Sequence, residues 1–146
     1  MLDLSGTQLT VEESELIQHP QVGGIILFKR NIDSLAQVVA LNSAIIEANQ
    51  DWAPLISVDQ EGGRVARLKG ICTDLPPMAK LTSAFIKEPH LAYRLGAMQG
   101  RELVSLGFNL NFAPVCDVIT NPKNQVIGDR AFSNCATISA TLPAVS

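Results

Sequence analysis

The sequence predicts an α/β fold whose strands all run parallel, built from three or four βα units. Three observations predict it. Residues 22–28, 54–58 and 109–115 read as short strands, and 22–28 is apolar on both faces, as buried parallel strands are. Stretches of helical periodicity separate them. Polar and charged residues gather just after each run, on the edge where ligands of α/β folds sit.

Each element has a local reason. Thr10-Val11-Glu12-Glu13 fits a capping box that opens a short helix, and Pro20 ends it. Residues 22–28 form the first long strand. Ser34-Leu35-Ala36-Gln37 is a second capping box, opening a helix to about Asn49. Its inward face takes Leu35, Val38, Val39, Ala40, Ile45 and Ile46, with Leu41 off the stripe. Residues 54–58 complete a βαβ unit, which crosses over right-handed. Pro76-Pro77 interrupts regular structure, so residues 69–89 read as a long irregular segment. Residues 91–106 read as a helix with Leu91, Leu95, Met98, Leu103 and Leu106 inward and Gly107 as its stop. Residues 109–115 are the next strand, and 117–130 a polar loop. Residues 133–146 have no strong helical stripe, and 142–146 end without a cap. An open doubly wound sheet and a (βα)8 barrel both fit this order. A barrel needs typically about 250 residues, and this chain holds less than half of one.

Bulk properties narrow the function. The chain has 146 residues, 47% hydrophobic, with a formal net charge of -3, enough for one core. Mild acidity and the lack of a Lys/Arg stripe argue against nucleic acid as a partner. No apolar stretch reaches the roughly 18 residues of a membrane span, so no membrane partner is expected. The N-terminus lacks the basic flank and apolar run of a signal peptide, and the three cysteines read as reduced thiols of a cytoplasmic protein. Cys72, Cys116 and Cys135 are far apart and odd in number, so they indicate neither a zinc site nor a disulfide framework. His19 and His90 have no metal-ligand spacing, and no Gly-x-Ser-x-Gly elbow is present.

The densest chemistry is Asp59-Gln60-Glu61-Gly62-Gly63-Arg64-Val65-Ala66-Arg67 at the end of a strand. Lys29, Arg30 and Asn31 follow the previous strand; Asp117, Asn121 and Asp129-Arg130 follow the next. If the strands are parallel, these groups share one rim. Arginine forks and carboxylates suit a polyhydroxylated ligand such as a sugar. Plainer roles stand beside this one. Lys29 and Arg30 would be solvated charges, Glu61 would pair with Arg64 or hold the glycine turn, and Asp117 would cap a loop amide. Asp59 is the hardest to dismiss, because a carboxylate at a strand terminus needs a partner. A nucleotide-binding module is the other class, and the missing glycine-rich loop after the first strand argues against it.

Four segments resemble a known family. They are Val22-Gly23-Gly24-Ile25-Ile26-Leu27-Phe28 with Arg30-Asn31, Val58-Asp59 through Arg67, Asn111-Phe112-Ala113-Pro114-Val115-Cys116-Asp117-Val118, and Ile127-Gly128-Asp129-Arg130-Ala131-Phe132. In order and spacing they resemble the N-terminal part of bacterial β-N-acetylhexosaminidases of glycoside hydrolase family three. The resemblance implies an incomplete (βα)8 TIM-like barrel over residues 1–132, of three to four βα units. It implies removal of terminal N-acetylglucosamine from muropeptides in peptidoglycan recycling, by a retaining mechanism without metal or organic cofactor. Asp59, Arg67 and Arg130 then resemble the groups that hold sugar hydroxyls, with Glu61 and Asp117 in support. The family's Lys-His-Phe-Pro-Gly-His-Gly segment, its Asp-His acid/base pair and its Ser-Asp-Asp nucleophile segment have no match in this sequence. The expectation is a truncated or frame-shifted product, with residues 133–146 a divergent tail and with no turnover of its own. Weak sugar binding by a non-catalytic remnant is the alternative.

Overall fold

The computed structural model describes residues 1–49 and 51–141. Its elements run β1 (Leu2–Asp3), α1 (Val11–Ile17), β2 (Gly24–Leu27), α2 (Leu35–Ala48), β3 (Leu55–Val58), β4 (Gln60–Gly62), β5 (Val65–Ala66), α3 (Met78–Lys87), α4 (Pro89–Ser105), β6 (Leu110–Asn111) and α5 (Ala136–Thr141). Short 3-10 turns lie at Lys29–Asn31 and Gly128–Arg130. The chain divides into two compact units, residues 1–59 with 102–111, and residues 60–101 with 112–146.

The first unit is built on a parallel sheet in the order β1-β2-β3-β6. Each strand of this sheet lies beside the sheet strand that follows it in the chain, with β4 and β5 paired in a separate sheet. A doubly wound sheet would reverse at a switch point; this order grows in one direction, as a barrel does. Register pairs Ile25 with Ile56 and Leu27 with Val58, and all four are fully buried. Burying each such side chain contributes roughly 1.5–3 kcal/mol. The Thr10 capping box closes as expected: Thr10 Oγ1 accepts from the Glu13 amide, and Glu13 accepts from the Thr10 amide. At Ser34 only the forward bond forms. Gln37 turns its carbonyl to the Asp33 amide, one residue earlier.

The inward face of α2 differs from the expected stripe. Val38, Leu41, Asn42 and Ile45 are buried, while Leu35 and Ile46 are exposed. The seam follows i, i+3, i+4, i+7 spacing, and a polar residue occupies one of its positions. Asn42 donates from Nδ2 there to the Leu106 carbonyl at 2.8 Å, while its Oδ1 is buried without a hydrogen-bond partner. That carbonyl lies where α4 stops. Phe108 N–H bonds Leu103 O, Gly107 N–H bonds Val104 O, and Gly107 sits at φ 89, a Schellman closure that L side chains rarely reach. The strand expected over 109–115 shortens to Leu110–Asn111. The Ala113–Pro114 peptide bond just beyond it is cis. β1 was not expected; at two residues it is too short to leave a periodic signal.

The second unit corrects three expectations. β4 and β5 pair antiparallel, so parallel pairing holds for the main sheet and not for every strand. Part of the irregular segment is helical: Pro77 serves as the N-cap of α3 rather than a barrier to it. Met78 and Phe85 of α3 form a core with Ala92 and Phe132, flanked by Leu81, Leu91, Leu95 and Ile138. The Phe85 and Phe132 rings lie 6.2 Å apart, tilted by 53°. Residues 136–141, read as lacking a helical stripe, form α5. In a segment this short, packing of Ile138 replaces periodicity as the helix determinant. Residues 142–146, expected to end without a cap, lie outside the described residues.

Candidate sugar-binding site

The glycine turn of the second unit sets the geometry. Gly62 and Gly63 have φ of 102 and 59, and both are crowded. A Cβ on Gly62 would stand 2.7 Å from Pro76 O, and one on Gly63 2.8 Å from Pro77 Cβ. Gly63 N–H donates to Leu75 O at 2.7 Å. The turn is thus clamped beneath residues 75–77, and only glycine fits there.

Flanking side chains turn inward. Gln60 is buried; its Oε1 accepts from the Leu68 amide, and its backbone carbonyl accepts from Gln99 Nε2. Glu61 is 5% exposed and meets Arg130 as a fork, with Arg130 Nη2 donating to Oε1 at 2.7 Å and Nε to Oε2 at 2.8 Å. Two parallel charge-assisted bonds fix the guanidinium plane. The pair joins two motif segments 69 residues apart in sequence. Arg130 Nη1 also donates to Val126 O at 3.1 Å.

Arg64 does not pair with Glu61, as one plain reading had it. Its Nη2 faces three successive carbonyls, Gln125 O at 2.7 Å, Val126 O at 2.7 Å and Ile127 O at 3.1 Å, and its Nε faces Asp129 at 3.3 Å. The two motifs therefore interlock through crossed pairs: Glu61 with Arg130, and Arg64 with Asp129. Arg64's role leaves little trace in the sequence, because three of its acceptors are backbone carbonyls more than 60 residues away, which carry no sequence signature.

The remaining candidates divide. Arg67 is half-buried in the second unit, and Asp117 is exposed there. Asp59 is half-buried in the first unit, directly after β3. Of the five named residues, Glu61 and Arg130 are in direct contact. The rim expected after β2 is mostly structural. Asn31 is fully buried; it donates to Leu4 O and Gly6 O and accepts from the Phe28 amide. Arg30 pairs with Asp3, donates to Leu4 O, and lies over the Phe28 ring. Lys29 is exposed. Asn121 accepts from the Lys123 amide, a loop-shaping turn. Among the described residues no group of three or more His, Cys, Asp or Glu is placed to hold a metal ion, and no helix is long and apolar enough to cross a membrane.

A guanidinium fixed in one plane by a buried carboxylate is a directional donor for hydroxyl and carbonyl oxygens. The model of the glycosyl hydrolase family 3 N terminal domain matches residues 1–144. The chain belongs to glycosyl hydrolase family 3. A relative named Beta-hexosaminidase, from Nitrosospira multiformis, is 43% identical over 136 residues, 90% of this chain and 38% of the relative. The chain thus spans well under half the length of that curated relative. Among solved structures, NagZ from Neisseria gonorrhoeae in complex with N-trifluoroacetyl-D-glucosamine is 34% identical, with a TM-score of 0.87 over 99% of this chain and 44% of that one. A family 3 beta-N-acetylglucosaminidase from Paenibacillus is 38% identical, with a TM-score of 0.89 over 97% of this chain and 27% of that one. The parallel strands in chain order are the first βα units of the family's TIM-like barrel, without closure.

Proposed function

We propose that these residues supply N-acetylglucosamine recognition in a β-N-acetylhexosaminidase. The observation that carries the reading is the Glu61–Arg130 fork, which ties together two segments that the family resemblance singles out. Arg130 and Arg67 each donate to sugar hydroxyls, and Asp59 accepts from them; Glu61 and Asp117 support. The substrate is a terminal, non-reducing N-acetylglucosamine of a muropeptide, cleaved in cytoplasmic peptidoglycan recycling. The reaction retains configuration through a glycosyl-enzyme, with one carboxylate as nucleophile and a separate proton donor for the leaving oxygen. The 146 residues carry the binding groups without the Asp-His and Ser-Asp-Asp segments of that chemistry. By themselves they bind sugar and do not turn it over, since nucleophilic and acid catalysis together account for many orders of magnitude.

The test is a titration of the isotopically labelled chain with N-acetylglucosamine, beside an assay of 4-nitrophenol release from its β-glycoside. Saturable shifts weakened about tenfold or more by Asp59→Ala, Arg67→Ala and Arg130→Ala are expected, a loss of roughly 1.4 kcal/mol or more each. No nitrophenol is expected. Binding indifferent to all three substitutions would sink the recognition reading, and steady release by the pure chain would sink the claim of no turnover.

A further inference from the structure

Arg64 has more partners than a surface arginine needs. Its side chain is 48% exposed, and its ion pair with Asp129 is 50% exposed on the other side, so the pair alone is worth about 0–1 kcal/mol. The unusual feature is the convergence of three successive carbonyls, from Gln125, Val126 and Ile127, on one nitrogen. Carbonyl dipoles aimed at one point repel each other unless a cation sits there. The loop from 125 to 127 thus holds its shape around Arg64.

Val126 O also accepts from Arg130 Nη1. One carbonyl therefore bridges two guanidinium groups, and the Arg130 amide is tied to Ile127 O within the same turn. Two cations on one oxygen are tolerable because Glu61 and Asp129 bring two carboxylates, which leaves the cluster neutral. Arg64 acts on the Arg130 guanidinium through Val126 O, and on its backbone through the loop.

We propose that Arg64 is a positioning residue: it shapes the 125–129 loop so that Arg130 meets the sugar in one orientation, without Arg64 touching the sugar. This rests on the reading of Arg130 as a sugar-holding group. Lysine is a poor substitute, because one ammonium cannot span both the carbonyls and Asp129.

The experiment is a double-mutant cycle on the whole chain, with Arg64→Ala, Arg130→Ala and both, each titrated with N-acetylglucosamine. Hydrogen exchange of the Arg130 Nε–H is followed alongside. Arg64→Ala should weaken binding about tenfold, and the double variant should bind no worse than Arg130→Ala alone. In Arg64→Ala the Arg130 Nε–H should exchange about tenfold faster, while amides of α3 keep their protection. Arg64→Lys should recover only part of the affinity. If Arg64→Ala does not fold, Arg64→Lys carries the same cycle. Losses that multiply in the double variant would overturn the proposal, as would unchanged Arg130 exchange. If the unsubstituted chain does not bind N-acetylglucosamine, the functional reading fails, and the exchange measurement still decides whether Arg64 orders Arg130.

Discussion

The two units differ in how they use charge: the Arg30–Asp3 pair of the first is exposed on both sides, whereas the second buries Glu61 against Arg130. In the first, side chains reach for backbone: Asn31 ties Leu4, Gly6 and Phe28, Asn42 ties Leu106, and Glu13 ties the Thr10 and Ser5 amides. In the second, carboxylates reach for arginines: Glu61 for Arg130, and Asp129 for Arg64. A parallel sheet satisfies its own ladder, and the groups left over lie where chain segments enter and leave it. Neutral amides suffice there. The second unit holds a long loop with little backbone pairing, and ion pairs with defined partners give it shape. The difference teaches that a polar residue following a strand is not by that fact a ligand group. What separates Asn31 from Arg130 is the partner, backbone in one case and a buried carboxylate fork in the other.

The comparison breaks most easily at Asn31. Asn31→Ala should lower stability by about 2–4 kcal/mol, because it removes the fully buried side chain's bonds to two carbonyls and one amide, the one to Leu4 O itself buried. Urea unfolding measures this, and a cost below about 1 kcal/mol would mean that the first unit does not depend on its backbone ties. Glu61→Gln is the matching test in the second unit. It keeps the shape and removes the charge beneath Arg130, at an expected cost of about 1–3 kcal/mol. Sugar affinity should fall with it, since the guanidinium loses its fork. A stable variant with full affinity would show that the charge pair does not orient Arg130.

How much of this the residues themselves announce follows the same division. The parallel strands, both helix starts and the Gly107 stop are legible because short-range signals produce them: apolar runs, capping residues and a left-handed glycine. The α2 seam is illegible because Asn42 interrupts the apolar stripe, and its reason for being there is a carbonyl 64 residues away. α3 is hidden by Pro77, which has the same letter whether it breaks a helix or opens one. At the site, the motif residues Glu61 and Arg130 stand out, but their pairing does not. Arg64 is far nearer to Glu61 in sequence than Arg130, which lies 69 residues away, and only the folded loop assigns each arginine its carboxylate.

Smaller effects sharpen the contrast within the first unit. Thr10→Ala removes the cap that accepts from the Glu13 amide, at an expected cost of about 1 kcal/mol by thermal or urea unfolding. A cost near zero would show that the remaining Glu13 contacts hold α1 by themselves.

Glu13 gives the finest test, because it is a carboxylate serving amides rather than an arginine. Partial burial pushes its carboxyl upward, but hydrogen bonds from Thr10 and Ser5 outweigh that and hold it below its ordinary value of 4.5. The folded pKa is thus depressed relative to the unfolded chain. The stabilisation is fully present above the unfolded value and is lost as the pH falls through the folded one. Glu13 is mostly solvated, so screening limits the effect to about 0.5 kcal/mol. The stability gap between the unsubstituted chain and Glu13→Gln should be constant above about pH 5, narrow as the pH falls past the ordinary carboxylate value, and close in acid. High salt should shrink this gap less than it shrinks the cost of Asp129→Asn, because direct hydrogen bonds to amides are screened less than an exposed ion pair. Equal salt sensitivity at the two sites would remove the distinction between backbone-directed and arginine-directed carboxylates on which the comparison of the two units rests.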